Sequence, residues 1–421
     1  MGIILGHTDA TGYGQAVTLA DDDRHHHVYA IGQTGTGKST FLRNALVQDL
    51  EAGRGVGLLD PHGDLAEAVL DLIPPWRTNA AIYFNPADQD YPIGLNPLAA
   101  RDPAQRHLVI LNTVAALRGL WSDIWGLGRM QYILTHTLAA LLDYEHATLL
   151  GVNRLLADER FRAKVLARVR DPIVQGFWRD EFARYDGRLR AEAVAPIQNK
   201  VGQFGALPLL RHILGQVRPA IDFRRVLDEG QVFIANLAKG RLGEDASRLL
   251  GAFLVAQFQL AALGRADVAA SARRPFYLYL DEFQSFAAVE SLAAILSEAR
   301  KYGLALTLAH QYLGQLTPAV QAAVFGNVGT VVCFRVGFED APLLAAQLEP
   351  VAAASLTELD PHRAWVRRLC GGATREPALV TLEPPYTPRA GRAATVAQES
   401  RRKYGRPRAE VAAKIATWLA H

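Results

Sequence analysis

Residues Gly32 to Ser39 read Gly-Gln-Thr-Gly-Thr-Gly-Lys-Ser, which fits the pattern G-x-x-x-x-G-K-[ST]. They stand between a short apolar segment, His27 to Ile31, and a segment with apolar residues at helical spacing, Thr40 to Leu50. No other stretch constrains the fold as much. A strand that turns through glycines into a helix gathers backbone N–H groups at the helix N-terminus, where phosphate oxygens are held. Gly32, Gly35 and Gly37 allow the close approach, with Thr34, Thr36 and Thr40 completing the loop. Lys38 is expected to reach the β- and γ-phosphates, and Ser39 to hold Mg²⁺ through its hydroxyl. With strand, loop, Lys-Ser and helix all in place, a turn that merely packs a helix on a strand is the weaker reading. The chain is expected to bind ATP with Mg²⁺.

A second apolar segment, Pro275 to Leu280, ends in Asp281-Glu282. A strand-terminal Asp-Glu pair alone is common, but paired with the upstream phosphate loop it points to hydrolysis. Asp281 would hold Mg²⁺ through its water shell, and Glu282 would polarise the attacking water. Gln311 follows the apolar run Leu304 to His310 and is placed to sense the γ-phosphate. Arg300 ends a helix predicted from Val289 to Tyr302. It has two readings, a charge at the helix's negative end or an arginine finger for a neighbouring subunit's nucleotide. Arg335 is a weaker phosphate-sensor candidate.

Between these motifs the chain alternates strand and helix. Gly55 to Leu59 leads into Asp60-Pro61-His62-Gly63-Asp64, a polar cluster at the carboxyl end of a strand. In a doubly wound sheet that edge is the ligand crevice. Asp60 is therefore read as a nucleotide or Mg²⁺ contact, against the alternative of a turn or helix cap. Ala80 to Phe84, Gln231 to Asn236 and Gly329 to Arg335 are further strands. From about Asp102 to Ala220 apolar residues recur at three and four, which predicts a helical insertion. Consecutive histidines at His25-His26-His27 point to alternating sides of an extended chain, so a metal cluster is not expected there.

The 421 residues are 50% hydrophobic and 21% charged, the make-up of a globular chain with room for more than one unit. Two cysteines, Cys333 and Cys370, make no disulfide framework and suit the cytoplasm. The longest apolar run, Leu249 to Leu263, is interrupted by Gln257 and Gln259 and reads as a buried helix rather than a membrane span. The net charge of +3 hides a segregation. Residues 154–225 hold 15 Arg/Lys against 8 Asp/Glu, and residues 387–421 hold 8 against 2. Such clustering points to a polyanion. Within the first region, Gln198 to Gly205 mixes amides, Lys200 and Phe204 and is a candidate for sugar-phosphate contact.

Taken together, the motifs resemble the FtsK/HerA superfamily of ring ATPases, and within it the type IV secretion coupling proteins of the VirD4/TraG/TraD kind. The resemblance covers most of residues 24–383. It rests on the phosphate loop, on Leu-Asp-Pro-His-Gly-Asp-Leu, Leu-Asn-Pro-Leu and Leu-Tyr-Leu-Asp-Glu-Phe, and on Glu-Ala-Arg-Lys-Tyr-Gly followed by His-Gln. It implies an α/β fold, a RecA-like P-loop core of the ASCE kind with an all-α insertion domain. It implies Lys38 and Ser39 at phosphate and Mg²⁺, Asp281 and Glu282 as Walker B, Arg300 acting in trans and Gln311 as sensor. It also implies a homo-hexamer with single- or double-stranded DNA in a central channel.

The expected divisions are 1–100 and 222–385 for the nucleotide-binding domain, 101–221 for the insertion, and 386–421 for a basic C-terminal tail and helix. Coupling proteins usually carry N-terminal membrane helices and HerA proteins an N-terminal β-barrel. Neither fits before this phosphate loop. The expectation is a cytoplasmic ATPase with no transmembrane segment of its own, peripheral to the inner membrane through membrane-anchored secretion partners. Two other classes remain open, a protein-export ATPase resembling VirB4 and a nucleotide switch that hardly turns over.

Overall fold

The computed structural model describes residues 2–8, 14–99, 103–120, 128–286 and 289–420. Among the described residues thirteen strands are formed: β1 (Gly2–His7), β2 (Ala16–Ala20), β3 (Val28–Ile31), β4 (Gly55–Asp60), β5 (Ala81–Phe84), β6 (Val232–Asn236), β7 (Phe276–Leu280), β8 (Leu304–His310), β9 (Thr330–Cys333), β10 (Arg363–Arg367), β11 (Leu369–Cys370), β12 (Ala373–Thr374) and β13 (Ala378–Thr381). Eleven make one sheet in the order β2-β1-β13-β10-β9-β3-β8-β7-β4-β6-β5, and β11 with β12 makes a separate hairpin. From β9 to β5 every pairing is parallel; from β9 outward to β2 every pairing is antiparallel.

The burial of the strands follows from this division. Parallel strands are covered on both faces, so they need continuous apolar runs. Val28–Ile31, Phe276–Leu280 and Leu304–His310 are buried at every position. The antiparallel β2 and β10 alternate instead, with Val17, Leu19, Ala364 and Val366 turned inward. β1 and β2 pair antiparallel and extend the sheet through β13.

Register brings the motifs to one edge. Ile31 lies opposite both His310 and Cys333, Leu59 opposite Leu280, and Asp60 opposite Asn236. The residues that follow these positions all leave the sheet at its carboxyl end. The strand carrying Gln311, β8, is inserted between the phosphate-loop strand β3 and the acid strand β7.

Two compact units divide the chain. The first takes residues 1–84, 223–243 and 261–400 and contains the whole sheet. Inside it, a buried polar network joins the phosphate-loop helix, Lys38–Glu51, to the acid strand. Asp49 accepts from Arg24 at 2.6 and 2.7 Å and from the Tyr279 hydroxyl at 2.5 Å. Tyr279 in turn accepts from Arg24 at 3.0 Å. Arg24 is 1% exposed, Asp49 and Tyr279 not at all, and the Arg24 guanidinium stacks 3.7 Å from the Tyr277 ring centre.

The second unit takes residues 85–222, 244–260 and 401–421. Its described elements are helices, among them Arg106–Leu120, Gly128–Leu142 and Gly187–Ala206, while residues 121–127 of the predicted insertion lie outside the described residues. Phe204 is 4% exposed, so the aromatic of the Gln198–Gly205 stretch is a core side chain and offers no stacking surface. Helical spacing put it on the inner stripe with Ile197 and Val201.

The C-terminal residues form two helices, Arg392–Tyr404 and Arg408–Ala420, and several of their cations have acidic partners. Arg401 meets Asp88 at 2.8 Å, and Lys414 meets Glu410 at 2.5 Å. Trp418 donates to the His146 carbonyl at 2.9 Å and meets the Phe161 ring edge-to-face, anchoring the last helix. One helix among the described residues, Glu244–Asp267, is long and apolar enough to cross a membrane; 72% of its most apolar stretch is buried within the protein.

Candidate nucleotide site

At the carboxyl edge a cleft of about 630 Å³ is lined by Thr34, Gly35, Gly37, Lys38, Ser39 and Thr40 from the phosphate loop. Asp60, His62 and Asp64 line it from the loop after β4, Asp281 and Glu282 from the end of β7, and Gln311 from the end of β8. Gly32 and Thr36 hold the loop from behind. Thr36 is 1% exposed and donates its hydroxyl to the Gln33 carbonyl at 2.7 Å. The loop's shape requires left-handed backbone at Gly35 (φ 77°) and Gly37 (φ 117°), which side chains rarely adopt. A Cβ on Gly37 would also stand 3.1 Å from the Cα of His362.

Lys38 is 7% exposed and folds back onto the loop, donating to the carbonyls of Gly32 and Gln33. Burial lowers its pKa, and the carboxylates of Glu282 and Asp281 oppose that shift. Asp281 is pushed up to about 7 by burial, then by the neighbouring charges of Asp60 and Glu282, with Lys38 pulling the other way. A cluster of acids gathered beside one lysine is suited to a divalent cation. Among the described residues no group of three or more His, Cys, Asp or Glu could hold a metal by itself. Ser39 and Asp281, the residues expected at Mg²⁺, both line the cleft.

Glu282 carries the site's strain. Its backbone is left-handed (φ 46°, ψ 51°), a conformation that costs a non-glycine residue about 1–3 kcal/mol. The residue is held there by its contacts. Its N–H donates to the Asp281 carboxylate at 3.1 Å, and its own carboxylate accepts from Gln284 at 2.6 Å and Gln311 at 2.9 Å. Gln311 also accepts from the Thr34 hydroxyl at 3.2 Å. One amide thus bridges the phosphate loop and the expected base.

Asp60 proves to have two uses. Both its oxygens accept backbone N–H groups, from His62 at 2.8 Å and Ala66 at 2.9 Å, so it fixes the turn and the start of helix Asp64–Leu70. It also faces the cleft and shifts Asp281. Arg335 contributes its backbone carbonyl to Gln33 at 2.8 Å, and its side chain is not among those lining the cleft.

Two cleft residues have no signal in the sequence. His362 follows Pro361 in left-handed backbone (φ 64°), donates its N–H to Thr36 at 2.8 Å and packs over Gly37. Arg43 lies one turn into the phosphate-loop helix.

Arg300 is elsewhere. It lies in a 3-10 turn, Ala299–Tyr302, just before β8, and its Nη1 donates to His26 Nδ1 at 2.7 Å. His26 precedes β3. Both therefore sit at the amino end of strands whose carboxyl ends carry the cleft, roughly 20 Å away at 3.3 Å per residue.

A family model described as the type IV secretion-system coupling protein DNA-binding domain matches residues 228–341. The fold is that of the coupling proteins. Among solved structures, the bacterial conjugative coupling protein TrwBdeltaN70 is 16% identical, with 92% of this chain and 90% of that chain covered at a TM-score of 0.66. TrwB in complex with the non-hydrolysable GTP analogue GDPNP is 17% identical, with 92% of both chains covered at 0.65. VirB4 of Thermoanaerobacter pseudethanolicus is 15% identical, with 94% of this chain and 98% of that chain covered at 0.58. By sequence, no curated protein matches the chain. The coupling-protein-like fold is a P-loop NTPase core, and its phosphate loop, acid pair and Gln311 are brought together as the motifs predicted.

The raised pKa of Asp281 has a measurable consequence in this coupling-protein-like site. Near pH 7 its carboxyl is about half protonated, whereas a cation needs the ionised form. Binding of preformed Mg²⁺·ATP should release about half a proton at pH 7 and close to none at pH 9. Calorimetry in buffers of different ionisation heat measures this. Asp281→Asn should abolish the release, and heats identical in all buffers at pH 7 would contradict it.

Proposed function

We propose that this protein is an ATP-driven motor that moves DNA, of the kind found among type IV coupling proteins. One observation carries the reading. The stretch that matches a DNA-binding domain, residues 228–341, also contains the acid pair Asp281-Glu282, Arg300 and Gln311. Nucleotide chemistry and the DNA-binding match therefore share the same strands.

In this reading Lys38 and the loop N–H groups orient the β- and γ-phosphates. Ser39 and Asp281 would hold Mg²⁺, which would supply charge neutralisation at the phosphates. Glu282 accepts the proton of the attacking water; the water oxygen bonds to the γ-phosphorus as its bond to the ADP oxygen breaks. Gln311, shared between Thr34 and Glu282, is the group whose contacts change when the γ-phosphate leaves. Arg300 stands too far from its own cleft to assist, so it would act on the nucleotide of an adjoining copy. A homo-hexameric ring satisfies that requirement, with membrane-anchored secretion proteins as its docking partners.

A second reading, a protein-export ATPase, draws on the likeness to VirB4. ATP hydrolysis measured with and without single- and double-stranded DNA separates the two. Marked stimulation that declines steeply with salt is expected of a phosphate-tracking motor. Turnover indifferent to DNA would favour export, and near-zero turnover would leave a nucleotide switch. Absence of DNA binding at low salt would end the motor reading. Cations of both basic regions are partly paired with acids, Arg188 with Glu192 and Arg224 with Asp228 in the first and Arg401 with Asp88 in the second, so deleting residues 387–421 and comparing the salt slope tests which of them is the footprint.

A further inference from the structure

We propose that a second cavity, at the amino end of the parallel strands, is a phosphoryl-binding site in which Arg367 acts together with Arg300. The cavity is about 360 Å³, and its side chains include His26, Ser297, Arg300, Asn327, Arg367 and Thr374. Two guanidiniums and an imidazole converge there, and among the described residues no Asp or Glu lines it. The acid nearest His26 is Asp23, and both its oxygens are already engaged, by the N–H groups of Gly371 and Gly372 at 3.0 Å each.

The two cations are poorly compensated. Arg300 donates to His26 Nδ1, so its partner is a neutral imidazole where a carboxylate would ordinarily serve. Burial and the Arg300 charge both lower the pKa of His26, which keeps that nitrogen free to accept. Arg367 ends β10, and its Nε is buried with no hydrogen-bond partner. Burial also pulls its guanidinium below the ordinary value. Arg367 is half-buried and Arg300 exposed, so an anion entering the cavity could meet both guanidiniums as a charge-assisted acceptor. Guanidinium forks suit tetrahedral oxyanions, and the Thr374 hydroxyl and Asn327 amide add neutral donors.

The chemistry is that of a phosphate group, and two sources can supply it: free inorganic phosphate, or the terminal phosphates of a nucleotide held by a second copy of this chain. The second source is the one proposed, and it rests on the reading of Arg300 as a residue acting between copies. The strand itself favours it. Residue 362, at the start of β10, lines the chain's own cleft, and residue 367, at its end, lines this cavity. One strand then touches both sites.

The test uses the full chain with Lys38→Ala, which removes the phosphate loop as a competing site. Isothermal titration with inorganic phosphate, against chloride at equal ionic strength, should show binding. Adding Arg367→Gln should weaken it roughly tenfold to hundredfold, the loss of a charge-assisted contact. Arg367→Lys should recover part of that loss, which a folding defect would not. No phosphate binding, or binding unaltered by Arg367→Gln, overturns the site. For the source, a non-hydrolysable ATP analogue should drive self-association of the wild type but not of Arg367→Gln with an intact Lys38. Equal association of both would overturn the neighbouring nucleotide as the occupant. Should Arg300→Ala remain fully active while phosphate binding still depends on Arg367, the action of Arg300 between copies fails and the phosphate site stands.

Discussion

Arg300→Ala is expected to lower ATP turnover roughly 10³-fold or more, the range found when a guanidinium that meets a transferred phosphoryl group is lost. The nucleotide affinity of an isolated copy should be little changed, because Arg300 is not among the residues of its own cleft. The decisive form of the experiment is a mixture. Arg300→Ala and Glu282→Gln should each be inactive alone, yet mixed in equal amounts they should recover part of the activity. Some interfaces would then pair an intact Glu282 cleft with an intact Arg300, provided subunits exchange. A protein carrying both changes, mixed with either single variant, should recover less. Full activity of Arg300→Ala under conditions where the wild type is oligomeric would return Arg300 to a helix-end charge held by His26.

Glu282→Gln is expected to keep nucleotide binding and reduce turnover by about 10²–10⁴, the usual contribution of a positioned general base. The local contacts sharpen this expectation. Glu282 accepts from both Gln284 and Gln311, and a glutamine has one oxygen to offer where the carboxylate has two. One neighbour must present its amide oxygen to the new NH2 group; Gln284, whose Oε1 has no partner, can do so by flipping, which leaves the contact of Gln311 with Thr34 in place. Removing the negative charge also relieves Asp281, so its carboxyl ionises more readily. Mg²⁺·ATP binding near pH 7 should therefore be retained or tightened while hydrolysis is lost. Near-normal single-turnover hydrolysis would remove Glu282 from the role of base.

The elements of the core were legible because each parallel strand is an unbroken apolar run that stops at a polar cluster. Asp281-Glu282, Gln311 and the phosphate loop could be named from such stops alone. Their mutual contacts could not. That Gln311 touches both Thr34 and Glu282 depends on β8 lying between β3 and β7, an order set by long-range pairing. His362 had no local signal; its place over Gly37 comes from a strand more than 300 residues downstream pairing back into the sheet. The charge count of the C-terminus misjudged its availability, since Arg401 finds Asp88 across 313 residues of sequence. Phe204 shows the opposite lapse: a polar neighbourhood in sequence surrounded a side chain that helical periodicity turns inward.

The sealed cluster of Arg24, Asp49 and Tyr279 sets a limit on how such a machine can move. It pins the helix that starts at Lys38 to the strand that ends at Asp281, behind the cleft and out of reach of solvent. Prising the two apart would strand a buried guanidinium or carboxylate, a penalty of about 3–5 kcal/mol where one partner is lost. The phosphate loop and the acid pair are in effect two jaws of one fixed vice. Loss of the γ-phosphate would then be felt first at the rim between those jaws, where the Gln311 side chain is held by Thr34 and Glu282.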